Sequence, residues 1–562
     1  MAHLPAHPSR AACHNRNDHA RFAFSLEWIL KRISPALWIS LGFVLVGLPL
    51  LRLPGLHVDA SSELACFYPC SHPAFRPSVL GFEVPLMVLS YLGAFKAWLY
   101  QPLLLSLQVT PFVLRLPLLL IGAATVWMFF ALLHRTVGRH ATIAGTLLLA
   151  TDSSFVVSTA IDFGPIVFLH FFLLAGVLLL LRFERTQSPK LLALAFLLFG
   201  LALWHKVLFI WMLVALSAAT LAVFPHRVRM QFSLRRLGLA VLLFLCLGAS
   251  PLLFYNVVTG GHTLHTGDVM SAKVQVSEKL LQLKKTLDGS ALLGFVTDET
   301  WKPEYTRQPS GLLATVSVRL NYAVGGLLRD WMLYAFLASC CLLPWLWFTL
   351  ARKASIFALV YLAVTWIQMA AIPNTGGTIH HAILLWPFPH FLMAVAGVQL
   401  GRRFARFGMR AMTAVLVLLA GCNGLLLNQY MAHLATGGTT ATFTDAVYPL
   451  FDYMSSLGPR NFAAVDWGYA DTLCLLSDGE MNVEDLSFVL QSPTVPQGVR
   501  SLIAGRQALF IGRPQADEKF PGVHARLTRT AEEMGYTRQV LETIYDRNRR
   551  PRFEVIRYVA SE

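Results

Sequence analysis

Apolar runs recur along this chain at a length that matches the thickness of a lipid bilayer. A helix needs roughly 17 to 25 mainly apolar residues to cross about 30 Å of hydrocarbon. Runs of this kind begin near residues 35, 112, 141, 163, 189, 207, 236, 327, 355, 382 and 410. Because 55% of the residues are hydrophobic and only 14% are charged, an ordinary soluble globule is excluded. The sequence predicts a polytopic α-helical membrane protein with about eleven transmembrane helices.

Basic residues cluster in every second loop between the apolar runs, and this pattern predicts the orientation of the chain. Lys and Arg in short loops favour the cytoplasmic side, so residues 1–34 are predicted to be cytoplasmic. That segment lacks an apolar core of its own, and we interpret the first run as a retained signal anchor. The net charge of +15 therefore reflects topology. A nucleic-acid partner would need a basic face on a soluble domain, and the sequence shows none, so no such partner is expected. The alternating basic residues are Arg10, Arg16, Arg21, Lys31, Arg32, Arg135, Arg139, Arg182, Arg185, Lys190, Arg227, Arg229, Arg235, Arg236, Arg352, Lys353, Arg402, Arg403, Arg406 and Arg410.

Polarity divides the chain into three predicted parts. Residues 1–34 form the cytoplasmic segment, residues 35–430 form a transmembrane domain with outer loops at 54–111 and 259–325, and residues 431–562 form a soluble domain. The alternation of basic loops predicts that the outer loops and the soluble domain face the periplasm or the lumen. Mixed strand-like and helix-like runs predict a small α/β fold for the soluble domain. These runs are Phe462–Val465, Ala508–Ile511, Arg552–Tyr558 and, for the helix, Ala525–Met534.

Two carboxylates follow the exit of the first run. Asp59 and Glu63 are four residues apart, a spacing that puts both side chains on one face if the segment is helical. A carboxylate held beside apolar walls at a membrane surface can act as a general base towards a hydroxyl within hydrogen-bond reach. We interpret Asp59 in this way, and the alternative is an acid that is merely solvated in a loop.

A third acid, Asp162, stands between two runs whose connection is almost absent. Ionisable groups at such depth are costly and commonly functional. The alternative is a helix N-cap, because Asp before Phe163-Gly164-Pro165 can satisfy the first amides of the following helix. The sequence is compatible with both roles.

Cationic and imidazole side chains mark the ends of other runs on the same predicted side. Lys206 follows His205 where two runs meet, and it either snorkels to the interface or neutralises a phosphate. His380 and His381 follow a Gly-Gly turn, where backbone amides and imidazoles suit an anion. A metal ion is the alternative for this pair, but adjacent histidines point apart on a helix and no third ligand has clear spacing. No cofactor is expected, with a divalent cation as the alternative.

Three cysteines fall on the predicted oxidising side of the membrane: Cys66, Cys70 and Cys474. Only Cys66 and Cys70 are close enough in sequence to indicate a local disulfide. The alternative is that both are free thiols in a loop.

Several of these segments follow one another in a characteristic order. The motifs are Asp59 with Glu63, Pro85-Leu86, Tyr91-Leu92-Gly93-Ala94-Phe95-Lys96, Arg115-Leu116-Pro117, Asp162-Phe163-Gly164-Pro165, and His380-His381 before Pro387 and Pro389. Their order over roughly residues 35–430 resembles that of the GT-C membrane glycosyltransferases. The nearest branch is the superfamily of protein O-mannosyltransferases and aminoarabinose transferases. Asp466-Trp467-Gly468 is similar to the soluble domains of bacterial members.

The resemblance implies an enzyme that transfers a sugar from a polyprenyl-phosphate donor, with inversion, to a hydroxyl of a protein, lipid or envelope glycan. It implies Asp59 as the base. The phosphate leaving group needs positive charge and hydrogen-bond donors. The residues expected to bind the phosphate are Lys96, Lys206, His380 and His381, and those expected to bind the donor or the acceptor are Glu63, Glu83, Asp162 and His205. Arg115 is expected to pin the first loop through a partly buried ion pair. Cys66 and Cys70 are expected to have a structural role.

The chain departs from the family pattern at two positions. Ala60 follows Asp59, where the family usually has Glu. Val84 precedes Pro85, where relatives that use aminoarabinose have Lys. These departures leave the donor sugar open.

Other classes of function make different demands on the sequence. A transporter or flippase of lipid-linked substrates predicts an acid at mid-membrane depth and pseudo-symmetric halves, and neither is evident in the sequence. An envelope assembly protein would tolerate substitution of its membrane polar residues. An acyltransferase would also use an embedded base, but its expected His-Asp pairing is not evident.

Overall fold

The computed structural model of the protein describes residues 26–561, except 233–234, 270–273, 327–328, 347–351, 374, 459, 493 and 506–507. The predicted cytoplasmic residues Arg10, Arg16 and Arg21 lie outside these ranges. The helices are α1 (Leu26–Gly47), α2 (Val58–Ala65), α3 (Phe95–Leu104), α4 (Pro111–Thr136), α5 (Arg139–Thr151), α6 (Ser153–Ile161), α7 (Val167–Thr186), α8 (Pro189–His205), α9 (Phe209–Val223), α10 (Pro225–Phe232), α11 (Arg235–Gly248), α12 (Ser250–Val258), α13 (His262–Val269), α14 (Val276–Leu287), α15 (Leu312–Val324), α16 (Met332–Leu346), α17 (Arg352–Ala371), α18 (Ile379–Ala382), α19 (Phe388–Arg403), α20 (Ala405–Thr436), α21 (Val447–Ser456), α22 (Ala470–Leu476), α23 (Gln497–Ala504) and α24 (Val523–Glu533). The strands are β1 (Ser78–Val79), β2 (Phe82–Glu83), β3 (Met87–Leu89), β4 (Leu92–Gly93), β5 (Phe462–Ala464), β6 (Val483–Asp485), β7 (Leu509–Gly512), β8 (Tyr536–Tyr545) and β9 (Pro551–Ala560).

Apolar helices of membrane-spanning character dominate the first three quarters of the chain. In the described ranges, five are long enough to cross a bilayer alone: Pro35–Arg52, Pro111–Thr136, Val167–Thr186, Arg352–Ala371 and Phe407–Thr436. Three bent pairs pass the same test together: Arg139–Thr151 with Ser153–Ile161, Gly238–Gly248 with Ser250–Val258, and Ile379–Leu385 with Phe388–Arg403. Shorter apolar helices are Pro189–His205, Phe209–Val223, Leu312–Val324 and Met332–Leu342. The predicted class, a polytopic α-helical membrane protein, is confirmed.

Two of the broken spans are joined to each other at their breaks. The α5–α6 pair bends by 52° and the pair that ends in α19 bends by 43°. At the first break, Asp152 Oδ1 accepts a hydrogen bond from the Phe155 amide at 2.7 Å, while Oδ2 lies 3.1 Å from His390 Nε2. The bend exposes amides at the start of α6, and Asp152 satisfies one of them. The same carboxylate ties α6 to α19.

The C-terminal unit, residues 441–561, is built around one mixed sheet. Its strand order is β6-β5-β7-β9-β8, with β5, β6 and β7 parallel and β9 antiparallel to both β7 and β8. Apolar clusters cover both faces of the sheet, one around Leu450 and Leu473 and the other around Val499 and Leu527. The three predicted strand runs coincide with β5, β7 and β9, and the predicted helix coincides with α24.

The C-terminal unit is attached to loop 54–111 by a covalent bond. Cys70 and Cys474 form a disulfide with a Cα–Cα distance of 5.9 Å, whereas Cys66 is a buried free thiol. The predicted Cys66–Cys70 disulfide is therefore wrong. Cys66 is the first residue after α2, and its side chain packs with Val88 and Leu92, away from Cys70. Sequence proximity favoured the wrong partner, because the correct one is 404 residues away.

Candidate active site

Helix α2 presents the two acids of loop 54–111. His57 precedes it as the N-cap, and its Nδ1 accepts a hydrogen bond from the Asp59 amide at 3.1 Å. The His57 ring is itself fixed between Phe443, at a centroid distance of 4.6 Å, and Phe163, at 5.5 Å. Since residues 58–65 are helical, Asp59 and Glu63 lie on one face, one turn apart.

The lysine triad, which we define as Glu63, Lys96 and Asp162, lies beneath Asp59. Lys96 Nζ donates to Glu63 Oε2 at 2.9 Å and to Asp162 Oδ2 at 2.5 Å. None of the three side chains is more than 3% exposed. Burial raises the pKa of Glu63 to about 7, and the charge of Asp162 adds to this rise while Lys96 opposes it. Burial alone would lower the pKa of Lys96, but the two carboxylates outweigh it and raise that pKa. The triad therefore holds together segments 58–65, 95–104 and 161–166.

Asp162 does not cap the helix that follows it. It is the C-cap of α6 in the left-handed conformation, with φ of 59°, and the N-cap of α7 is Ile166. The N-cap interpretation of Asp162 is therefore wrong, because its carboxylate is turned towards Lys96. Gly164, two residues after Asp162, contacts Lys206: its carbonyl accepts a hydrogen bond from Lys206 Nζ at 2.7 Å.

Lys206 lies at a junction of three segments. Its backbone forms a β-bridge with Leu92, and its side chain is 4% exposed. Burial lowers the pKa of Lys206 to about 8, whereas Asp59, Glu63 and Asp162 act in the opposite direction. Lys206 is thus buried rather than extended towards the interface. It is a cation whose charge is felt by the acids of α2.

The histidine loop, residues 378–381, closes the other side of this region. A Cβ atom on Gly164 would lie 2.2 Å from His380 Cβ, so glycine is needed for the loop to approach. His381 Nδ1 accepts from the Gly376 amide at 3.0 Å, and the Thr378 hydroxyl lies 2.9 Å from the same nitrogen. The His380 and His381 ring centroids are 4.3 Å apart. His380 contacts Phe163 at 5.2 Å, which places the loop beside the aromatic wall of His57.

The remaining predicted site residues divide between this region and others. His205 Nδ1 lies 3.8 Å from Glu63 Oε1, under the triad. Glu83 is on the exposed β1–β2 hairpin and pairs with Arg76 at 2.9 Å. The structure therefore gives Glu83 a surface ion pair rather than a contact with the triad, and does not support its predicted place in the binding site.

Arg115 pins loop 54–111, but not through an acid. Its guanidinium donates to the carbonyls of Leu51, Pro54 and Gly55 at 3.0, 2.8 and 2.6 Å. The predicted ion pair is therefore replaced by backbone carbonyls. Thr110 caps α4 through the Val113 amide, which fixes the turn that carries Arg115. The result is a defined path for the chain directly before His57.

Three buried polar residues were missed by the sequence reasoning: Lys279, Asp152 and His390. Lys279, on α14, donates to the carbonyls of Met369 and Ile372 at 2.9 and 2.5 Å, and so caps the end of α17. The Asp152–His390 pair is an acid within a span, the feature that the transporter alternative requires. Both oxygens of Asp152 are occupied by Phe155 and His390, which gives it a structural task. An isolated Asp within an apolar run was the signal that could have found it.

Within the described ranges, no group of three His, Cys, Asp or Glu side chains is placed to hold a metal ion. His380 and His381 are near Thr378 and each other. The arrangement provides one accessible acid, Asp59, with 28% of its side chain exposed, beside a cation and two imidazoles.

Comparison with known proteins places this arrangement in a fold class. Residues 94–255 match the family model for dolichyl-phosphate-mannose-protein mannosyltransferases, and no curated relative matches the sequence. ArnT from Cupriavidus metallidurans in the apo state is similar over 95% of this chain and 98% of its own, at 12% identity and a TM-score of 0.56. The same protein bound to undecaprenyl phosphate is similar over 96% and 99%, with the same identity and score. The archaeal oligosaccharyltransferase AglB from Archaeoglobus fulgidus, in complex with an inhibitory peptide and a dolichol-phosphate, is similar over 95% of this chain and 75% of its own, at 10% identity and a TM-score of 0.49.

The nearly full-length likeness to ArnT shows that this membrane protein has the GT-C glycosyltransferase fold. The resemblance expected from the order of the motifs is thereby confirmed. Within that fold, the segment with Lys96, Arg115, Asp162 and Lys206 is the part that is similar to dolichyl-phosphate-mannose-protein mannosyltransferases.

Proposed function

We propose that the protein is an inverting glycosyltransferase that moves a sugar from polyprenyl phosphate to a hydroxyl of a protein, lipid or envelope glycan. The observation that carries the proposal is the contrast in exposure along α2. Asp59 has 28% of its side chain exposed, whereas Glu63 is fully buried against Lys96. ArnT, which shares the fold, was solved with undecaprenyl phosphate, and this supports the donor class.

The proposed reaction is a single displacement at the anomeric carbon. Asp59 accepts the proton of the acceptor hydroxyl as the hydroxyl oxygen bonds to that carbon. The bond from the carbon to the phosphate oxygen breaks, and polyprenyl phosphate leaves with the electron pair. A retaining reaction would need a second carboxylate in a catalytic position. Glu63 and Asp162 are both bound to Lys96, which favours inversion.

The leaving phosphate requires positive charge and hydrogen-bond donors. Lys206 is the candidate that the charge pattern favours, because it is buried next to the acids and its ammonium has one carbonyl partner, Gly164. His380 and His381 line the same side and are candidates for donating hydrogen bonds to phosphate oxygens. Lys96 is already shared between two carboxylates, so its proposed role is to hold the site together.

We also propose a bacterial inner-membrane location with about eleven spans, a cytoplasmic N-terminus and a periplasmic C-terminal unit. The described residues contain five helices that are long enough to cross alone, or eight spans if each bent pair is counted as one. The Cys70–Cys474 disulfide supports a common location for loop 54–111 and the C-terminal unit, because disulfides persist in oxidising compartments. Proteolysis of right-side-out and inverted vesicles, read with antibodies to the C-terminal unit, tests this orientation. Cleavage from the cytoplasmic face alone would contradict it.

The central experiment measures sugar transfer by purified protein from a panel of radiolabelled polyprenyl-phosphate sugars. Asp59→Asn is expected to lower turnover by at least about 100-fold, the usual contribution of a general base, while donor binding is retained. Glu83→Gln is the matched control, because Glu83 belongs to the same loop but pairs with Arg76 outside the site. Its turnover is expected to equal that of the wild type.

Two results would overturn the proposal at different points. Full turnover by Asp59→Asn would remove Asp59 as the base. Neither turnover nor binding of any donor by the wild-type protein would shift the assignment towards transport or envelope assembly.

A further inference from the structure

The carboxyl ends of two parallel strands of the C-terminal unit lie against the helix that carries Asp59. Strand β5 lies between β6 and β7. The chain crosses from β5 to β6 on one side and then returns past β5 to β7 on the other side. Ligands bind in the crevice outside the strand carboxyl ends at such a switch point. The segments at this crevice are Asp466-Trp467-Gly468 after β5 and Arg513 after β7.

Gly468 is the point where this crevice meets α2. Its φ is +104°, and a Cβ atom there would lie 3.6 Å from Arg513 Nη2 and 3.8 Å from Val58 Cβ. A few residues further on, the Thr472 hydroxyl donates to Ser61 Oγ at 3.0 Å. The crevice therefore lies beside the first turn of α2, next to the proposed base.

Arg513 is a buried cation with an unused donor. Its Nε is buried and has no hydrogen-bond partner among the described residues. The nearest carboxylate oxygen, Asp466 Oδ2, is 3.8 Å from Nε, and Asp466 accepts instead from the amides of Lys519 and Phe520 at 2.7 and 3.1 Å. A buried N–H without a hydrogen-bond partner is costly, and the long ion pair with Asp466 does not satisfy it. The planar donors of the guanidinium match an oxyanion.

Two aromatic rings lie against the Arg513 guanidinium, and its Nε has no hydrogen-bond partner within the described part of the chain. Its central carbon lies over the rings of Tyr469 and Phe553, at 5.5 and 5.7 Å from the centroids. The adjacent Lys519 is exposed. Its backbone amide donates to Asp466 Oδ2, the acid next to Arg513. Lys519 and Arg513 therefore belong to the same crevice, and burial together with the charge of Lys519 lowers the pKa of His57.

On the basis of the proposed function, we infer that the acceptor carries an oxyanion group, which Arg513 and Lys519 bind while its hydroxyl reaches Asp59. The anionic group takes no part in bond making or breaking. It positions the acceptor, so that the C-terminal unit selects the substrate and α2 supplies the base. Phosphate and carboxylate share this chemistry, and the experiment distinguishes them.

The test measures equilibrium binding of radiolabelled inorganic phosphate to the full-length protein in nanodiscs. The wild type is expected to bind at two classes of site, one at Lys206 and one at Arg513. Arg513→Gln and Lys519→Gln are each expected to weaken the second class by about tenfold or more, since a hydrogen bond to a charged group contributes at that level. Arg529→Gln is the control, because Arg529 is an exposed arginine on α24, and phosphate binding should be unchanged.

Lys519→Gln guards against loss of folding in Arg513→Gln, because the Lys519 side chain is exposed. Unchanged phosphate binding in both variants would overturn the inference, even if Lys206→Met loses the first class of site. Loss of binding in Arg513→Gln and Lys519→Gln with no effect of Lys206→Met would instead contradict the assignment of the donor phosphate. Competition by malonate but not by glycerol phosphate would assign a carboxylate acceptor, and the reverse a phosphate acceptor. Competition by neither would count against an anionic acceptor.

Discussion

Replacing Lys96 by Met is expected to destabilise the protein strongly. The ammonium lies 2.9 Å from Glu63 and 2.5 Å from Asp162, with all three side chains shielded from water. Without it, two buried acids face each other, and at least one must bind a proton at neutral pH. Removing one partner of a buried charged pair typically costs roughly 3 to 5 kcal/mol, because the remaining charge is left uncompensated. We expect a loss of this size for Lys96→Met.

The assay is thermal unfolding of the purified protein, followed by tryptophan fluorescence. Lys96→Met should melt several degrees below the wild type. The double variant with Glu63→Gln should regain part of the loss, because only one acid is left to protonate. Lys285→Met, at an exposed lysine of α14, is the control. Equal melting of Lys96→Met and the wild type near neutral pH would refute the description of these residues as a buried charged triad.

Three further variants test other parts of the structure. Glu63→Gln should remove a pH dependence of stability. Burial raises the pKa of Glu63 from 4.5 to about 7, so the folded state retains a proton that the unfolded state loses, and wild-type stability falls as the pH rises through this window. The melting temperatures at about pH 5 and about pH 8 should therefore differ less in the variant than in the wild type, and an unchanged difference would contradict this. Cys474→Ser should lose about 2 to 4 kcal/mol of stability and should transfer less sugar, because α22 packs against α2. Cys66→Ser is the control and should not alter mobility on non-reducing gels. Equal melting of Cys474→Ser and the wild type would count against the cross-link. Asp152→Ala should lose about 3 to 5 kcal/mol in the same melting assay through the His390 pair, while Asp152→Asn keeps the Phe155 cap bond and should lose less; the opposite order would exclude a capping role.

The sequence predicted membrane-spanning helices because a bilayer imposes length and hydrophobicity on each span. The count of about eleven stays a prediction, since the described residues have five such helices, or eight spans if each bent pair is one. The sequence did not predict the breaks, since an apolar run has the same composition whether it is straight or bent at Asp152. The spacing of Asp59 and Glu63 correctly implied a shared helical face. The two acids differ in burial, and the burial of Glu63 depends on its contact with Lys96 and on the contact of Lys96 with Asp162. These contacts join residues that are 33 and 66 positions apart in the sequence.

Contacts over long sequence distances account for the other errors. Nothing near Cys70 indicates Cys474, and Arg115 binds carbonyls, which any residue can offer. Arg513 carries no motif. Its environment results from how a parallel sheet ends against α2, so only the folded chain identifies it.

The link between Cys70 and Cys474 also orders the biogenesis of the protein. Helix α2 is synthesised early, but Thr472 and Cys474, which hold it from the other side, are made only when most of the chain has left the ribosome. A chain that is cut short before residue 470 lacks this clamp on its proposed catalytic helix. Under the proposed function, completion of the polypeptide is therefore a condition for holding the base in place.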